Sequence, residues 1–206
     1  MGQKVDPVCF RLSLNNNWTS IWCNDHKKYK DNFIKDLRIW DYILKNFKNC
    51  AISRVTTERT NDRLVVLIKT AKPGVIIGKR GADIEKIRKH IQQNIKEKDV
   101  LVKIVEVEKP DLDAWLIGQN IAKQIENRAA FKRVVKKAIQ NVMKYGALGV
   151  KIKVAGRLNG VDIARTETYR EGSIPLHTLR ANVSYSHTEA RCSYGMIGIR
   201  VWVYKK

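Results

Sequence analysis

No stretch of this chain is apolar for long enough to cross a bilayer. Cysteine is scarce. Cys9, Cys23, Cys50 and Cys192 stand far apart, with no CxxC and no pair at metal-ligand spacing. That argues against a bound metal, and the thiols read as small hydrophobes in a reducing compartment. Acid is also scarce. Asp and Glu number 20 against 40 Lys and Arg, and no acid falls between Glu126 and Asp162. There is no Walker phosphate loop. Three residues separate Gly74 from Gly78 where four are needed, and Arg80 stands where a magnesium-binding hydroxyl belongs. Neither an NTP site nor any other cofactor is expected. The N-terminus, Met1-Gly2-Gln3-Lys4-Val5-Asp6-Pro7, has no apolar signal core and no Arg-rich presequence, so the protein is expected to work where it is made. Gly2 does not begin a myristoylation motif, because position six is Asp. No internal repeat and no low-complexity tract occurs.

What is present is a folded, very basic protein. Its 206 residues are 44% hydrophobic, enough for one large or two small domains with their own cores. The net charge of +20 repels itself unless a polyanion relieves it. Nucleic acid is the first candidate and an anionic membrane surface the second. The cations are spread over the whole chain instead of gathering on one amphipathic anchor, which disfavours the membrane.

The most informative stretch is Val75-Ile76-Ile77-Gly78-Lys79-Arg80-Gly81 and the helix pattern behind it. Ile84, Ile87, Ile91 and Ile95 recur at helical spacing. Two glycines allow a sharp turn and a close approach to the backbone. Between them are two cations, and the following helix N-terminus favours an anion. A bare GxxG is a common turn. Here it lies between helix-like segments with strand-like Leu64 to Ile68 and Leu101 to Val107 on either side. In that setting Gly78, Lys79, Arg80 and Gly81 resemble the clamp by which a KH module holds single-stranded nucleotides.

Around the clamp the pattern reads helix (27–47), strand (51–58), strand (63–70), helix, GxxG, helix, strand (100–108). Phe33, Leu37, Trp40, Ile43, Leu44 and Phe47 supply the first helix with a core stripe. Residues 1–22 read as an extended arm, mobile until RNA orders it. Lys109-Pro110-Asp111 marks a boundary, since Pro110 disfavours helix before it and Asp111 can cap one after it. Helices follow over 112–129 and 130–145. Alternation around Val150-Ile152-Val154, Leu179-Ala181-Val183-Tyr185 and Ile197-Ile199-Val201-Val203 then predicts three half-buried strands. The fold class is α+β. An N-terminal domain with helices on one face of a small mixed sheet, in the order of a type II KH domain, precedes an α/β domain of two helices on an antiparallel or mixed sheet. The divisions are 1–22, 23–109 and 110–206.

A second basic constellation lies on the helix beginning at Phe131. Phe131, Val135, Ile139 and Val142 form an apolar stripe, while Lys132, Arg133, Lys136 and Lys137 gather on the opposite side. A solvated helix face usually mixes charge signs, so a face of one sign favours an anion. Arg157, Arg165, Arg170, His177 and Arg180 form a third, looser cluster in a segment read as loop, where Arg165 and Arg170 could equally pair with Glu167 and Glu171. His26, His90 and His187 are scattered and read as structural.

These residues carry a family resemblance. Lys4-Val5, Pro7 and Arg11-Leu12, then Ala71-Lys72-Pro73-Gly74 before the GxxG, then Phe131-Lys132-Arg133 before Lys136-Lys137-Ala138, occur in order. So do Gly156-Arg157-Leu158, Ile163-Ala164-Arg165-Thr166-Glu167, Tyr169-Arg170-Glu171-Gly172 and Pro175-Leu176-His177-Thr178-Leu179-Arg180-Ala181. The chain resembles, over essentially its whole length, the bacterial-type S-three proteins of the small ribosomal subunit. Cys9, Asp6, Thr168 and Asn159 depart from the family pattern, as does the lack of a tail after the last strand. The resemblance implies a type II KH domain and a C-terminal α/β domain in the head of the small subunit. It implies small-subunit rRNA and mRNA as partners, S-ten, S-fourteen and S-two proteins as neighbours, no membrane and no enzymatic activity. Residues matching Lys132, Arg133 and Lys136, with Lys137 beside them, would line the tunnel through which mRNA enters and help unwind it. Gln3, Lys4, Arg11, Arg157, Arg165, Arg170, His177 and Arg180 would touch rRNA. The location would be the cytoplasm of a bacterium or, alternatively, an organellar ribosome. Two rivals stay open at this point: a free-standing KH regulator of mRNA, and a metal nuclease using Asp111 and Asp113.

Overall fold

The computed structural model describes residues 4–12, 14–47, 50–60, 63–78, 81–95 and 99–206. The chain divides into two compact units, one of Trp18–Glu108 and one of Met1–Asn17 with Lys109–Lys206.

In the first unit β2 (Ile52–Thr60) and β3 (Arg63–Thr70) are antiparallel neighbours. Leu64, Val66 and Ile68 alternate on β3 and all three are buried. The chain crosses over through α2 (Pro73–Ile77) and α3 (Ala82–Ile95), then returns as β4 (Asp99–Glu106), parallel to β3. Such a parallel pair requires a crossover connection. The two-residue β1 (Ser20–Ile21) adds to the other edge, parallel to β2, in the order β1-β2-β3-β4. Ile87 and Ile91 of α3 pack with Ile39 and Ile43 of α1 (His26–Asn46) over Val66, Ile68 and Val100.

The phase of α1 differs from its apolar spacing. Phe33, Leu37 and Leu44, placed on the core stripe by that spacing, are about two-fifths exposed, and the buried face is Asp36, Ile39 and Ile43. The reason is polar. The Asp36 carboxylate accepts from the Thr57 hydroxyl at 2.7 Å, Trp22 Nε1 at 2.8 Å and the Ser20 hydroxyl at 3.1 Å. Arg59 donates to it through Nη2 at 2.7 Å and Nε at 3.1 Å. A buried carboxylate must be satisfied in this way, and doing so turns its side of the helix inward.

In the second unit α4 (Ala114–Glu126) and α5 (Phe131–Lys144) lie on a four-stranded, wholly antiparallel sheet. Its strands are β5 (Gly149–Gly156), β6 (Arg165–Gly172), β7 (Val183–Cys192) and β8 (Gly195–Tyr204), in the order β6-β5-β8-β7. Val150, Ile152 and Val154 of β5 and Ile197, Ile199, Val201 and Val203 of β8 alternate into the helical layer. Helix α4 approaches closely at Gly118, where a Cβ would stand 2.7 Å from the Thr188 hydroxyl.

Three expectations are corrected here. Segment 165–172, read as loop, is the edge strand β6. The strand expected from Leu179 begins only at Val183, because the backbone before it serves the N-terminal segment instead. Arg11 is fully buried. Its Nε donates to the Ala181 carbonyl at 2.8 Å, and Nη2 lies 3.0–3.2 Å from the carbonyls of Thr178, Leu176 and Pro175. Asn15 Nδ2 adds a bond to the Arg180 carbonyl at 2.9 Å. The arm read as 1–22 is therefore split. Its first part belongs to the second unit, and Ser20–Ile21 belongs to the sheet of the first.

Candidate nucleic-acid interface

Helix α2 ends at Gly78, whose N–H donates to the Gly74 carbonyl at 3.1 Å. Gly78 has φ 69° and Gly81 φ 78°, the left-handed region that side chains disfavour. Gly78 also lacks room, since a Cβ there would run into the Asp83 side chain. Lys79 and Arg80 lie outside the described residues. Asp83 and Glu85 occupy the first turn of α3, so the positive end of that helix already has carboxylates beside it. Asp83 in turn pairs with Lys86 at 2.8 Å, and this hydrogen bond holds the exposed Lys86 ammonium above its ordinary pKa of 10.5. The cationic character of the turn itself thus rests on Lys79 and Arg80.

Helix α5 has the two faces its sequence suggests. Phe131, Val134, Val135, Ile139 and Val142 are buried, and Lys132, Arg133, Lys136 and Lys137 are exposed. Among the described residues no carboxylate pairs with any of the four. Lys132 with Lys136, and Arg133 with Lys137, are unrelieved like charges one helical turn apart.

The third cluster separates into committed and open side chains. Arg157 donates to the Val161 carbonyl at 3.0 Å, the Tyr194 carbonyl at 3.1 Å and Asp162 at 2.6 Å, and so organises its own loop. Arg165 pairs with Glu167 at 3.2 Å. Arg170, His177, Arg180 and Lys4 are exposed. Gln3 lies outside the described residues. Arg11 is corrected: its guanidinium is buried and spent on backbone carbonyls, so it shapes the fold and offers nothing to a phosphate. Three cations in no earlier grouping, Lys151, Lys153 and Arg200, lie on the sheet face away from the helices. Strand alternation marks each as outward, but only the pairing register reveals that they are neighbours.

Asp113 accepts from the Trp115 N–H at 2.9 Å and caps α4, the ordinary task of an Asp at a helix start. Among the described residues no group of three His, Cys, Asp or Glu side chains could hold a metal ion, and no helix is long and apolar enough to cross a membrane.

Residues 38–112 match the family model of the KH domain, and residues 121–203 match that of ribosomal protein S3, C-terminal domain. The chain is 51% identical over 205 residues to small ribosomal subunit protein uS3 of Ruegeria sp. (strain TM1040), spanning 100% of this chain and 85% of that relative. The chain belongs to the uS3 family of small ribosomal subunit proteins. Two further uS3 relatives are 50% identical, from Roseobacter denitrificans (100% of this chain, 87% of the relative), and 49% identical, from Wolbachia sp. subsp. Brugia malayi (99% and 98%). In uS3 terms the mixed sheet with its GxxG is the KH domain, and the antiparallel sheet with α4 and α5 is the C-terminal domain. The uS3 family is a non-enzymatic, structural one. The nuclease reading of Asp111 and Asp113 and the free-standing regulator both give way to it.

Proposed function

We propose that this chain is an architectural constituent of the small-subunit head, that it binds small-subunit rRNA, and that α5 lines the path by which mRNA enters. The observation that carries the last part is the face of Lys132, Arg133, Lys136 and Lys137, which no carboxylate neutralises among the described residues. Such a face holds a moving polyanion through charge and not through base identity. A strand drawn past it is steadied on one side while the ribosome advances, which favours the opened form of an mRNA helix. The Gly78–Gly81 turn and the exposed Lys4, Arg170, His177 and Arg180 supply rRNA contacts. Proteins S-ten, S-fourteen and S-two are the proposed neighbours, in the cytoplasm of a bacterium, with an organellar ribosome as the alternative.

Footprinting of the full chain on purified small-subunit rRNA across a salt series tests the binding. Protection confined to the head region is the expected result. Diffuse protection that vanishes at moderate salt would reduce the behaviour to non-specific charge. Subunits assembled with a Lys132→Gln/Arg133→Gln/Lys136→Gln chain should open an mRNA hairpin more slowly. An unchanged rate would remove α5 from the mRNA path.

A further inference from the structure

The sheet of the C-terminal domain has two unlike faces. One is apolar and covered by α4 and α5. The pairing register fixes what stands on the other. Arg170 of β6 lies opposite Lys151 of β5, Lys151 opposite Trp202 of β8, and Trp202 opposite Tyr185 of β7. Two residues along, Thr168, Lys153, Arg200 and His187 form the next row. The row after that is Thr166, Ala155, Gly198 and Glu189.

Lys151, Lys153, Arg170 and Arg200 are thus packed as cross-strand neighbours on strands about 4.8 Å apart. Two of the pairings, Arg170 with Lys151 and Lys153 with Arg200, set like charges directly opposite, an arrangement that destabilises a sheet. Among the described residues none of the four pairs with a carboxylate, and the one acid on these rows, Glu189, stands at the end of the third. The crowding is felt at Lys151, whose pKa is lowered from 10.5 first by burial and then by the charges of Lys4, Arg170 and Lys153. Lys151 Nζ lies 5.1 Å from the centre of the Trp202 ring, and that ring leans on Tyr185 at 5.2 Å. Trp202 is only 8% exposed, so its ring is closed to base stacking. The face offers fixed cations beside a low floor of Ala155 and Gly198. That is a surface for a backbone of phosphates.

We propose that Lys151, Lys153, Arg170 and Arg200 form a further RNA-backbone contact of this chain, distinct from both the GxxG turn and the α5 face. It rests on the reading that the chain binds small-subunit rRNA. The occupant is RNA because among the described residues none of the four charges is paired with a carboxylate, and all four share one face of the sheet.

The test uses the full chain and purified small-subunit rRNA, with affinity measured across a salt series. Lys153→Gln/Arg200→Gln should weaken binding about tenfold or more at low salt. It should also reduce the slope of log affinity against log salt by roughly 1.5, the loss of two phosphate contacts. Lys153→Arg/Arg200→Lys should keep the wild-type slope, and the thermal midpoint of either variant should not fall. A slope unchanged in the Gln variant, while Lys132→Gln/Lys136→Gln lowers its own, would overturn the sheet contact and leave rRNA binding intact. Failure of the wild-type chain to bind rRNA with any salt dependence would overturn the underlying reading and the contact with it. A Gln variant that binds rRNA normally but no longer binds an acidic polypeptide, poly-glutamate, would assign the face to a protein and overturn the proposal.

Discussion

The Nε of Arg11 meets the carbonyl oxygen of Ala181 at 2.8 Å, joining residues 170 positions apart. Together with the bonds to Pro7, Pro175, Leu176 and Thr178, it makes one buried guanidinium the organiser of the loop before β7. Truncation would leave several carbonyls without their charged donor, and each buried group left unpaired costs roughly 1–3 kcal/mol. Water can enter the vacated space and recover part of that loss. Arg11→Ala is expected to destabilise the C-terminal domain by about 3 kcal/mol, and Arg11→Lys by a similar amount, because a single ammonium cannot reproduce the fork. Urea unfolding of the full chain, followed through Trp fluorescence, would show it. A loss below about 0.5 kcal/mol, less than one ordinary hydrogen bond contributes, would mean the clasp is ornamental.

Asp36 is the corresponding residue of the KH domain. Its carboxylate is nearly inaccessible and bonds to Arg59, Thr57, Trp22 and Ser20 at once. Removing one partner of a buried ion pair costs about 3–5 kcal/mol, because the other charge stays buried alone. Asp36→Ala should therefore unfold this domain at markedly lower urea. Arg59→Leu combined with Asp36→Leu should be much milder than the two single losses added together. Strict additivity would show that the two residues do not act as a pair.

Asp36 and β6 also explain where reading the sequence succeeds and where it stops. On α5 the apolar residues recur without a polar intruder, and Phe131, Val135, Ile139 and Val142 are all buried. On α1 the apolar residues are spread around more of the helix than the core can take. Spacing alone favours Phe33 and Leu37, and it cannot show that a carboxylate has four polar partners waiting for it. Strand β6 is illegible for a different reason. It is an edge strand whose outward and inward residues are both largely polar, so it lacks the alternation of β5. The GxxG is legible because glycine carries the signal itself. The cationic sheet face is not, since neighbours on paired strands are distant in sequence.

Tyr169 gives a pH test of β6. Its ring packs partly against the core under the helices, and its hydroxyl donates to Glu167 at 2.7 Å. Burial, and then this hydrogen bond, push the phenol up from 10.0 to about 12. The folded state thus holds the proton longer than the unfolded chain does. Whatever stability this contributes is fully present below pH 10 and is lost as pH rises from about 10 towards 12. Tyr185 and Tyr194 are also held above the ordinary value, so ultraviolet titration should show several late phenols, of which the step near 12 is the one that Tyr169→Phe removes and Glu167→Gln shifts downward. Titration of every tyrosine together near the ordinary value would contradict the packing of β6.

The α5 face allows a test in which stability and binding should move in opposite directions. Lys132 and Lys136, like Arg133 and Lys137, are a turn apart on one exposed surface and gain nothing from each other in the free protein. Like-charged pairs at that spacing cost a helix roughly 0.2–0.5 kcal/mol each. Lys136→Gln keeps the aliphatic stem and good helix propensity while removing one repulsion. The free chain should therefore become slightly more stable, by a few tenths of a kcal/mol at low salt, and the gain should fade towards 1 M salt as screening shortens to about 3 Å. Its affinity for single-stranded RNA should nevertheless fall, with the salt slope reduced by roughly 0.7. A residue present only to solvate the helix would show the small gain in stability without the loss of affinity. One that braces the fold would lose stability on substitution. Only a cation kept for an anionic guest should weaken binding while its removal relaxes the protein, and melting and binding curves on the same two preparations would separate the three.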